Sequence, residues 1–471
     1  MGLLARSGPP NSTVGRFLPV AWTAARVYLG YKYLQRRRRR LGFEATEPAF
    51  QRHHQRSARW FYETAVHLRG LLIKTGQFVG ARADVVPEPY VVTLSHLQDR
   101  VPPRSFAEMR HVVERELGRP LKLVFREFDE RPVASASLAQ VHRAVLHDGR
   151  EVAVKVQYPE IAEVVRRDLR SLKILVDLLQ RFEPAFDYRV LYDELAYHAP
   201  IELDFVHEGQ NAERVARELR GREDVYVPRI HWDYTTRRVL VMEYVHGLRL
   251  TDVDGMRARG IDPRRVAQTL IEAYCDQILV NGFFHADPHP GNLFVQEGPR
   301  VVFVDFGLAK EVPRSFRRGL VDLTRAILEQ DFDAAARAFH DLGFRTRSGD
   351  PRTFVAVGKA YLHSLEEMSR RGNQREIVVE INQQLAEIVR ANPVVRVPGD
   401  IVLVGRVMGL LSGLGKTLDS RVDLVRTLVP YVAEQAAREH GFDAEVARTL
   451  RAATEARLVQ LEGEGAARGP K

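Results

Sequence analysis

The densest group of chemically active side chains lies in the segment FFHADPHPGNLFV, residues 283–295. Between two short apolar runs it carries His285, Asp287, His289 and Asn292. Imidazole and carboxylate groups bind zinc, iron and manganese, so a metal site is one interpretation. Alternate side chains share a face only in a strand, however, and two prolines and a glycine make this segment a turn-rich loop. The spacing therefore argues against a metal cage.

A second acidic segment follows, RVVFVDFGLAK at residues 300–310, which reads as a buried strand that ends in Asp305. In kinase-like phosphotransferases an aspartate orients or deprotonates the acceptor, an asparagine five residues later holds magnesium, and an Asp-Phe-Gly aspartate holds the metal that bridges the phosphates. Asp287, Asn292 and Asp305 have this order and spacing. We therefore expect Asp287 to be catalytic and the other two to bind Mg²⁺, which prefers oxygen ligands. His285 is expected to brace the loop backbone.

Such chemistry needs a lysine that contacts phosphate, and GREVAVKVQY at residues 149–158 supplies one. The Asp-Gly turn at its start and the alternating β-branched residues place Lys155 in mid-strand, as a catalytic residue that also binds nucleotide. The preceding loop should read GxGxxGxV, but the sequence has ASASLAQV, residues 134–141. Each alanine adds a Cβ that penalises positive φ, which predicts a stiffer phosphate loop. The expected nucleotide contacts of this loop are Ala134, Ala136, Ser137, Ala139, Gln140 and Val141.

The segment at residues 225–247 predicts paired strands that lead to a connector. In a kinase-like fold this connector is the hinge, whose backbone binds adenine. We therefore expect Glu243 and Val245 to contact the nucleotide.

Five segments together resemble the UbiB/ADCK (AarF-domain) family of atypical kinases. They are LLIKTGQFVGARADVVPEPYVVTLSHLQDRVPP (71–103), ASASLAQVHRA (134–144), ELDFVHEGQN (202–211), HADPHPGN (285–292) and VDFGLA (304–309). The resemblance implies ATP and Mg²⁺ as cofactors. It also implies an α+β, bilobal protein kinase-like fold with an N-terminal helical extension packed over the active site. Glu208 then becomes the partner of Lys155 and part of the nucleotide site.

The resemblance further implies that Lys74, as a catalytic residue, and Gln77 lie over the nucleotide. Lys74 would then meet two regulatory carboxylates, Glu202 and Asp204. Taken one at a time, these side chains could equally be solvated charges or caps of surface helices. The linked motifs favour the functional interpretation.

The segment after Asp305, residues 308–332, is predicted to enter a helix within a few residues, and the sequence has no APE motif. Protein kinases build their peptide-docking surface there. This disfavours phosphorylation of proteins in trans and favours ATP hydrolysis or phosphoryl transfer to a small or lipid-like molecule. The resemblance implies isoprenoid-quinone or other membrane-lipid metabolism. Two alternatives are a small-molecule phosphotransferase of the aminoglycoside or choline kinase type and a non-catalytic, nucleotide-gated scaffold.

Charge is concentrated at the N-terminus. Residues 1–60 hold twelve Lys or Arg against two Glu, a net charge of +10, and because the whole chain carries +9, residues 61–471 sum to −1. A nucleic-acid-binding protein would carry its basic residues on the folded body, so we expect no nucleic-acid partner. The aromatic and arginine-rich segment at residues 15–40 favours peripheral docking on an anionic membrane. A targeting peptide and a helix packed on the kinase body are the alternatives.

The single cysteine, Cys275, cannot form an internal disulfide and falls in a helical pattern. The longest apolar candidate for a membrane span, residues 401–415, is shorter than the ~18–20 residues required and contains Arg406, so a packed helix is predicted. We expect a cytoplasmic, peripherally membrane-associated protein; no oligomeric state is predicted. The expected organisation is a basic leader (1–44), a helical extension (45–103), an N-lobe with a helical insertion (104–247), a helical C-lobe (248–456) and a tail (457–471).

Overall fold

The computed structural model divides the chain into two compact units. The N-terminal unit comprises Met1–Glu213 and Pro228–Val245, and the C-terminal unit comprises Arg214–Val227 and His246–Lys471. The residues described are 12–80, 86–98, 103–183, 189–329, 331–350, 353–356, 392, 394–396, 399–419, 422, 424–439, 447–449, 451–452 and 454. The predicted tail, 457–471, lies outside them.

An antiparallel sheet forms the centre of the N-terminal unit. Its strands are β1 (Phe125–Phe128), β2 (Ala134–Ser135), β3 (Ala139–Leu146), β4 (Glu151–Gln157) and β6 (Val239–Glu243). The order is β1-β3-β4-β6, and β2 pairs with β3. The turn between β3 and β4 contains Gly149 at φ 90°, a conformation that glycine adopts without steric cost. In β4 the valines 152, 154 and 156 are buried, which leaves Lys155 on the opposite face.

Helices surround this sheet and continue through the N-terminal region. They are α1 (Thr13–Leu41), α2 (Glu47–Leu68), α3 (Leu71–Gly80), α4 (Glu88–Ser95), α5 (Phe106–Leu117), α6 (Leu121–Val124), α7 (Ile161–Phe182) and α8 (Arg189–Ile201); α9 (Phe205–Glu218) begins in this unit. One hydrophobic core joins buried residues of β3, β4 and β6 to α5 and the start of α7. A smaller core joins α2, α3 and α4. The predicted leader thus contains a helix of 29 residues, α1, which packs against α2 and α7.

One buried ion pair holds α1 to α7. Arg16 Nε and Nη2 donate to the two carboxylate oxygens of Asp168, each at 2.7 Å, and Arg16 Nη1 donates to the carbonyl of Leu68 at 2.8 Å. Burial raises the pKa of the Asp168 carboxyl, and the guanidinium opposes that rise. Arg16 is one of the twelve basic residues of the charged N-terminal region, but its side chain is 2% exposed and is paired with Asp168.

The C-terminal unit holds a sheet of β5 (Val225–Tyr226), β10 (Arg300–Phe303), β9 (Leu293–Gln296) and β7 (Leu248–Arg249), in that order. Two further strand pairs are β8 (Phe283–His285) with β11 (Ala309–Glu311), and β12 (Arg345–Thr346) with β13 (Val394–Arg396). The expectation that residues 225–247 form paired strands is wrong for β5, which pairs in parallel with β10. The strand ends before Pro228, which has no backbone N–H to extend a ladder.

The helices of this unit are α10 (Val253–Ala258), α11 (Pro263–Cys275), α12 (Arg314–Leu328), α13 (Phe332–Asp341), α14 (Gly399–Leu418) and α15 (Leu424–Glu439). A π-helical turn, Asp276–Asn281, extends α11. The apolar segment at 401–415 lies in α14, which packs against α11. Among the helices described, none is long and apolar enough to cross a membrane. Cys275 is buried, and burial raises the pKa of its thiol.

Candidate active site

In the N-terminal unit, Lys155 forms an ion pair with Glu208. The Lys155 Nζ lies 2.6 Å from Glu208 Oε1, and the two side chains are 12% and 4% exposed. The alternation of β4 places the lysine on the face toward α9, and Glu208 lies in the first turn of that helix. Because the carboxylate is almost fully buried, it holds the ammonium group in one position. The structure therefore brings these two predicted residues together.

A second ion pair joins the N-terminal helices to the same region. Lys74 Nζ of α3 lies 2.9 Å from Glu202 Oε1. Asp204 Oδ1 accepts a hydrogen bond from the backbone N–H of Val206 at 3.0 Å, so this aspartate caps the start of α9. Gln77 donates from Nε2 to the carbonyl of Leu97 at 3.1 Å, which ties α3 to the turn after α4.

The alanine-rich segment forms a tight turn between β2 and β3. The Ala136 N–H donates to the carbonyl of Ala139 at 2.8 Å, and the Tyr158 hydroxyl donates to the carbonyl of Ala136 at 3.1 Å. Ala136 is exposed, whereas Ala139 is buried. The non-glycine residues with positive φ in the described chain are Arg69 and Glu160, so the alanines adopt ordinary backbone conformations.

The other predicted residues of this segment differ in accessibility. Ala134 is exposed, and Ser137 and Val141 are half-buried. Gln140 is fully buried, and its Oε1 accepts from the Arg104 N–H at 2.9 Å. The Gln140 side chain therefore points into the unit as an internal brace.

The predicted hinge lies at the end of β6. The Glu243 N–H donates to the carbonyl of Arg229 at 2.9 Å, and the next N–H, of Tyr244, donates to the carbonyl of Glu151 at 3.1 Å. Val245 is the last residue of the N-terminal unit.

In the C-terminal unit, both carboxylate oxygens of Asp287 accept hydrogen bonds. Oδ1 accepts from Arg406 Nη2 of α14 at 2.7 Å, and Oδ2 accepts from Asn292 Nδ2 at 3.3 Å. His289 Nδ1 instead accepts from the N–H of Gly291 at 3.1 Å. His289 therefore stabilises the turn of the loop.

His285 braces the loop from within, as expected. Its ring is fully buried, its Nε2 contacts the backbone carbonyl of Asp305, and its Nδ1 lies 2.8 Å from the Tyr274 hydroxyl. A carbonyl oxygen only accepts, so Nε2 carries the proton and Nδ1 accepts from tyrosine. Burial lowers the pKa of His285, which keeps the ring neutral.

The π-helical turn explains how this brace is assembled. Gln277, on that turn, accepts at Oε1 from the backbone N–H of His285 at 2.9 Å. The wide turn closes with a bond from the Gly282 N–H to the Gln277 carbonyl at 2.9 Å, and Arg317 Nη1 donates to the carbonyl of Val280 at 2.6 Å. π-Helical turns are frequent at functional sites.

The two predicted magnesium ligands occupy the same end of the β9–β10 hairpin. Asn292 immediately precedes β9, Asp305 follows β10, and the Val304 N–H donates to the Asn292 carbonyl at 3.1 Å. Asp305 Oδ1 accepts from the N–H of Gly307 at 3.0 Å, which fixes the carboxylate orientation. An amide oxygen and a carboxylate are hard oxygen donors and fit Mg²⁺, which takes its other ligands from water and phosphate.

Sequence reasoning missed Tyr274, Gln277 and Arg406. The first two read as members of an apolar helical pattern. Arg406 was used only as an argument against a membrane span, although a charge within an apolar helix also indicates a buried partner.

Comparison with known proteins identifies the family. The family model described as the ABC1 atypical kinase-like domain matches residues 96–339. This chain belongs to that family. AarF domain-containing protein kinase 1 of Mus musculus is 35% identical over 410 residues, which are 82% of this chain and 76% of the mouse protein. The match confirms the resemblance to the UbiB/ADCK (AarF-domain) kinases.

A chloroplastic relative from Arabidopsis thaliana, ACTIVITY OF BC1 COMPLEX KINASE 7, is 36% identical over 391 residues, or 83% of this chain. This chain spans 56% of the length of that relative and 54% of the length of a second Arabidopsis thaliana protein, ACTIVITY OF BC1 COMPLEX KINASE 8. Among solved structures, the complex of Rv3197 with erythromycin from Mycobacterium tuberculosis matches with a TM-score of 0.57 and 26% identity, and covers 80% of this chain and 95% of that one. The fold is therefore α+β, bilobal and kinase-like, with an N-terminal helical region.

Proposed function

We propose that this protein is an atypical kinase or ATPase that uses ATP and Mg²⁺. The observation that carries the proposal is the loop in which Asp287, Asn292 and Asp305 keep the order of a phosphotransferase site, with the last two at one end of a hairpin. Asn292 and Asp305 would hold the metal, which neutralises phosphate charge when bound. Lys155, oriented by Glu208, would contact the phosphates.

The remaining residues of the proposed site would act through position. Asp287 would accept the proton of the acceptor, and the neutral His285 would hold the Asp305 backbone in place. The backbone of the alanine-rich turn and of Glu243 to Val245 would contact the nucleotide. Lys74, as a catalytic residue, and Gln77 would lie over the nucleotide. Glu202 and Asp204 would be regulatory partners of Lys74.

For the acceptor, we favour a small or lipid-like molecule, in isoprenoid-quinone or other membrane-lipid metabolism. After Asp305 the chain forms β11 and enters α12 at Arg314, which leaves a short segment where protein kinases carry a peptide-docking surface. The solved relative is a complex with erythromycin, a small molecule. Hydrolysis of ATP by water is the simplest reaction that the same residues would perform.

Thermal unfolding with and without MgATP tests nucleotide binding. A ligand at 100 times its Kd stabilises the folded state by about 2.7 kcal/mol. Asp305→Asn should lose the magnesium-dependent part of that stabilisation, because the metal-bridging carboxylate is gone. Asp254→Asn, a change of the same type at an aspartate that is 98% exposed, should retain it. Equal magnesium-dependent stabilisation of wild type and Asp305→Asn would show that Asp305 does not bind the metal.

A peripheral membrane surface is the second part of the proposal, and the specific observation is an exposed apolar face on α1. The side chains on this face are more than half exposed: Val14, Leu18, Trp22, Leu29 and Tyr33. Their helical spacing puts them in one row, and Arg36 to Arg40 follow at its end. On α7, Ile174, Leu178 and Phe182 form a second exposed row.

The helices that carry the two rows contact each other at the end of α7. The Tyr28 and Phe182 rings lie 6.4 Å apart, and Lys32 contacts Glu183 next to Phe182. Apolar and aromatic groups beside an arginine run match an anionic lipid surface, where each Lys or Arg contributes about 1 kcal/mol. We call these two rows and the five arginines the docking face.

Co-flotation with liposomes tests the docking face in the full-length protein, because deletion of the leader would also remove Arg16. Replacing Arg36 to Arg40 with glutamine should reduce binding to anionic liposomes, and binding of the wild type should fall as salt rises. The matched control replaces five exposed arginines elsewhere, Arg110, Arg115, Arg119, Arg126 and Arg131. Equal flotation of both variants and wild type would place the membrane contact elsewhere.

A further inference from the structure

Asp287 has an unexpected partner outside the segment that matches the family model. Arg406 of α14 donates from Nη2 to Asp287 Oδ1 at 2.7 Å. The two side chains are 19% and 27% exposed, so the pair is accessible to solvent. Both residues belong to the C-terminal unit, together with Asn292 and Asp305.

The Arg406 guanidinium retains capacity to bind a ligand. A guanidinium carries five N–H donors. Within the described part of the chain, Arg406 makes one hydrogen bond, the one to Asp287. Gly409, three residues further along the same helix surface, is exposed, and a Cβ there would meet no atom of the described residues within 4 Å. Among the described residues, therefore, none covers the helix surface at Gly409.

The contact also leaves Asp287 able to act as a base. Arg406 occupies Oδ1, while Oδ2 accepts a long bond of 3.3 Å from Asn292. A carboxylate oxygen has two lone pairs, so Oδ2 can accept a further hydrogen bond from the hydroxyl of an acceptor. The arginine thus orients the carboxylate without blocking it.

We infer that Arg406 is a catalytic residue that binds the phosphoryl group during transfer, an inference that rests on the proposed function. The bond between the γ-phosphorus of ATP and the oxygen that bridges it to the β-phosphorus breaks, and ADP leaves with that oxygen. A bond from the γ-phosphorus to the oxygen of water or of an acceptor hydroxyl forms, and the proton of that oxygen passes to Asp287 Oδ2. The N–H groups of Arg406 that do not face Asp287 donate to the oxygens of the phosphoryl group. An arginine supplied in this way stabilises charge that is spread over those oxygens in the transition state.

The test compares Arg406→Gln with wild type in turnover and in binding of two ligands. ATP turnover should fall by about 10²–10³-fold, as for loss of one preorganised donor to a transition state. The Kd for MgATP, measured by thermal shift, should stay within about twofold, because the contact strengthens only in the transition state. The Kd for Mg²⁺, ADP and aluminium fluoride, a mimic of the phosphoryl group in transfer, should rise by at least about tenfold.

Two further variants serve as controls. Arg406→Lys should recover part of the turnover, since it keeps the charge but not the planar donors. Lys416→Gln removes an exposed cation from the same helix and should leave all three quantities unchanged. Unchanged turnover in Arg406→Gln would overturn the inference. Increased turnover would also overturn it, because Arg406 would then inhibit the reaction by covering Asp287.

A structural role gives a different pattern. Equal weakening of MgATP and of the aluminium fluoride complex in Arg406→Gln, with a lowered melting temperature, would also overturn the inference. If MgATP does not stabilise the wild type at all, the proposed function itself fails. The wild type is therefore measured first, before any variant is compared with it.

Discussion

Arg16 and Arg406 both lie outside the matched segment of residues 96–339, and each reaches an aspartate inside it. Arg16 makes two bonds of 2.7 Å to Asp168 and two more to backbone carbonyls, and both side chains of the pair are 2% exposed. Arg406 makes one bond of 2.7 Å to Asp287 and remains partly exposed. The first guanidinium is surrounded by its own protein, whereas the second faces solvent on one side.

The difference in burial distinguishes an ion pair that stabilises the folded state, Arg16 with Asp168, from an ion pair that can also bind a ligand, Arg406 with Asp287. A saturated, buried guanidinium has no surface on which to receive a ligand. Removing one partner of such a pair leaves an uncompensated buried charge, which is costly. A partly exposed pair is cheaper to break, and its remaining donors can bind a substrate. The same residue types therefore predict loss of stability at one site and loss of turnover at the other.

The largest expected effect on stability comes from Arg16→Met. Breaking a buried ion pair costs about 3–5 kcal/mol, because Asp168 would keep a buried charge without its partner. Urea unfolding measures the loss. The double variant Arg16→Met with Asp168→Leu should recover most of it, since neither charge remains. Arg59→Met breaks a pair whose side chains are 72% and 56% exposed and should leave the midpoint unchanged. If Arg16→Met and the double variant unfold at the same urea concentration, the comparison is wrong.

A smaller effect is expected at the buried histidines, one in each unit. Burial lowers the pKa of both His285 and His142. The folded state therefore favours the neutral ring, so its contribution to stability is present above about pH 6.5 and is lost as pH falls, when the unfolded chain takes up the proton. The free energy of unfolding, measured from pH 7.5 to 5, gives a slope against pH that counts the protons taken up on unfolding. In His285→Gln or His142→Gln this number should be smaller than in wild type by up to about one proton.

The two histidine variants should differ in nucleotide binding. His285→Gln changes the donor to the Asp305 carbonyl and should weaken magnesium-dependent stabilisation by MgATP. His142 accepts at Nε2 from the Gln140 amide and donates from Nδ1 to the carbonyl of Asp129, both in the N-terminal unit. Its replacement should leave the stabilisation by MgATP intact. Equal stabilisation of the two variants by MgATP would show that His285 is no more important for nucleotide binding than His142.

The smallest effect is expected for Ala136→Gly in the alanine-rich turn between β2 and β3. Glycine has more backbone freedom in the unfolded chain and should lower stability by about 0.5–1 kcal/mol. It should also loosen the turn that Tyr158 holds and change the affinity for MgATP. Ala107→Gly, at an exposed position of α5, is the control for the backbone term alone. Affinity changes of equal size in both variants would make the loop irrelevant to the nucleotide.

Most of the features that the sequence predicts depend on patterns among residues that are close together in the chain. The strand around Lys155 follows from alternating valines and an Asp-Gly turn, and the order of Asp287, Asn292 and Asp305 lies within a short stretch of chain. Those features depend on neighbours in sequence, which periodicity and motif spacing report directly.

Features that join distant parts of the chain were beyond the same reasoning. Asp287 and Arg406 are 119 positions apart, and Arg16 and Asp168 are 152 apart, with no pattern linking either pair. The pairing of β5 with β10 was missed for the same reason, because a two-residue strand carries no information about its partner.

The π-helical turn before β8 sets a limit on insertions and deletions in this part of the chain. Its six residues, Asp276–Asn281, close through a bond that spans five positions, one more than an α-helix uses. Each residue of an α-helix turns the chain by about 100°, so deleting one residue here would rotate Gln277 relative to β8 and separate it from the His285 backbone. Insertions and deletions should therefore be excluded from this turn in homologous chains.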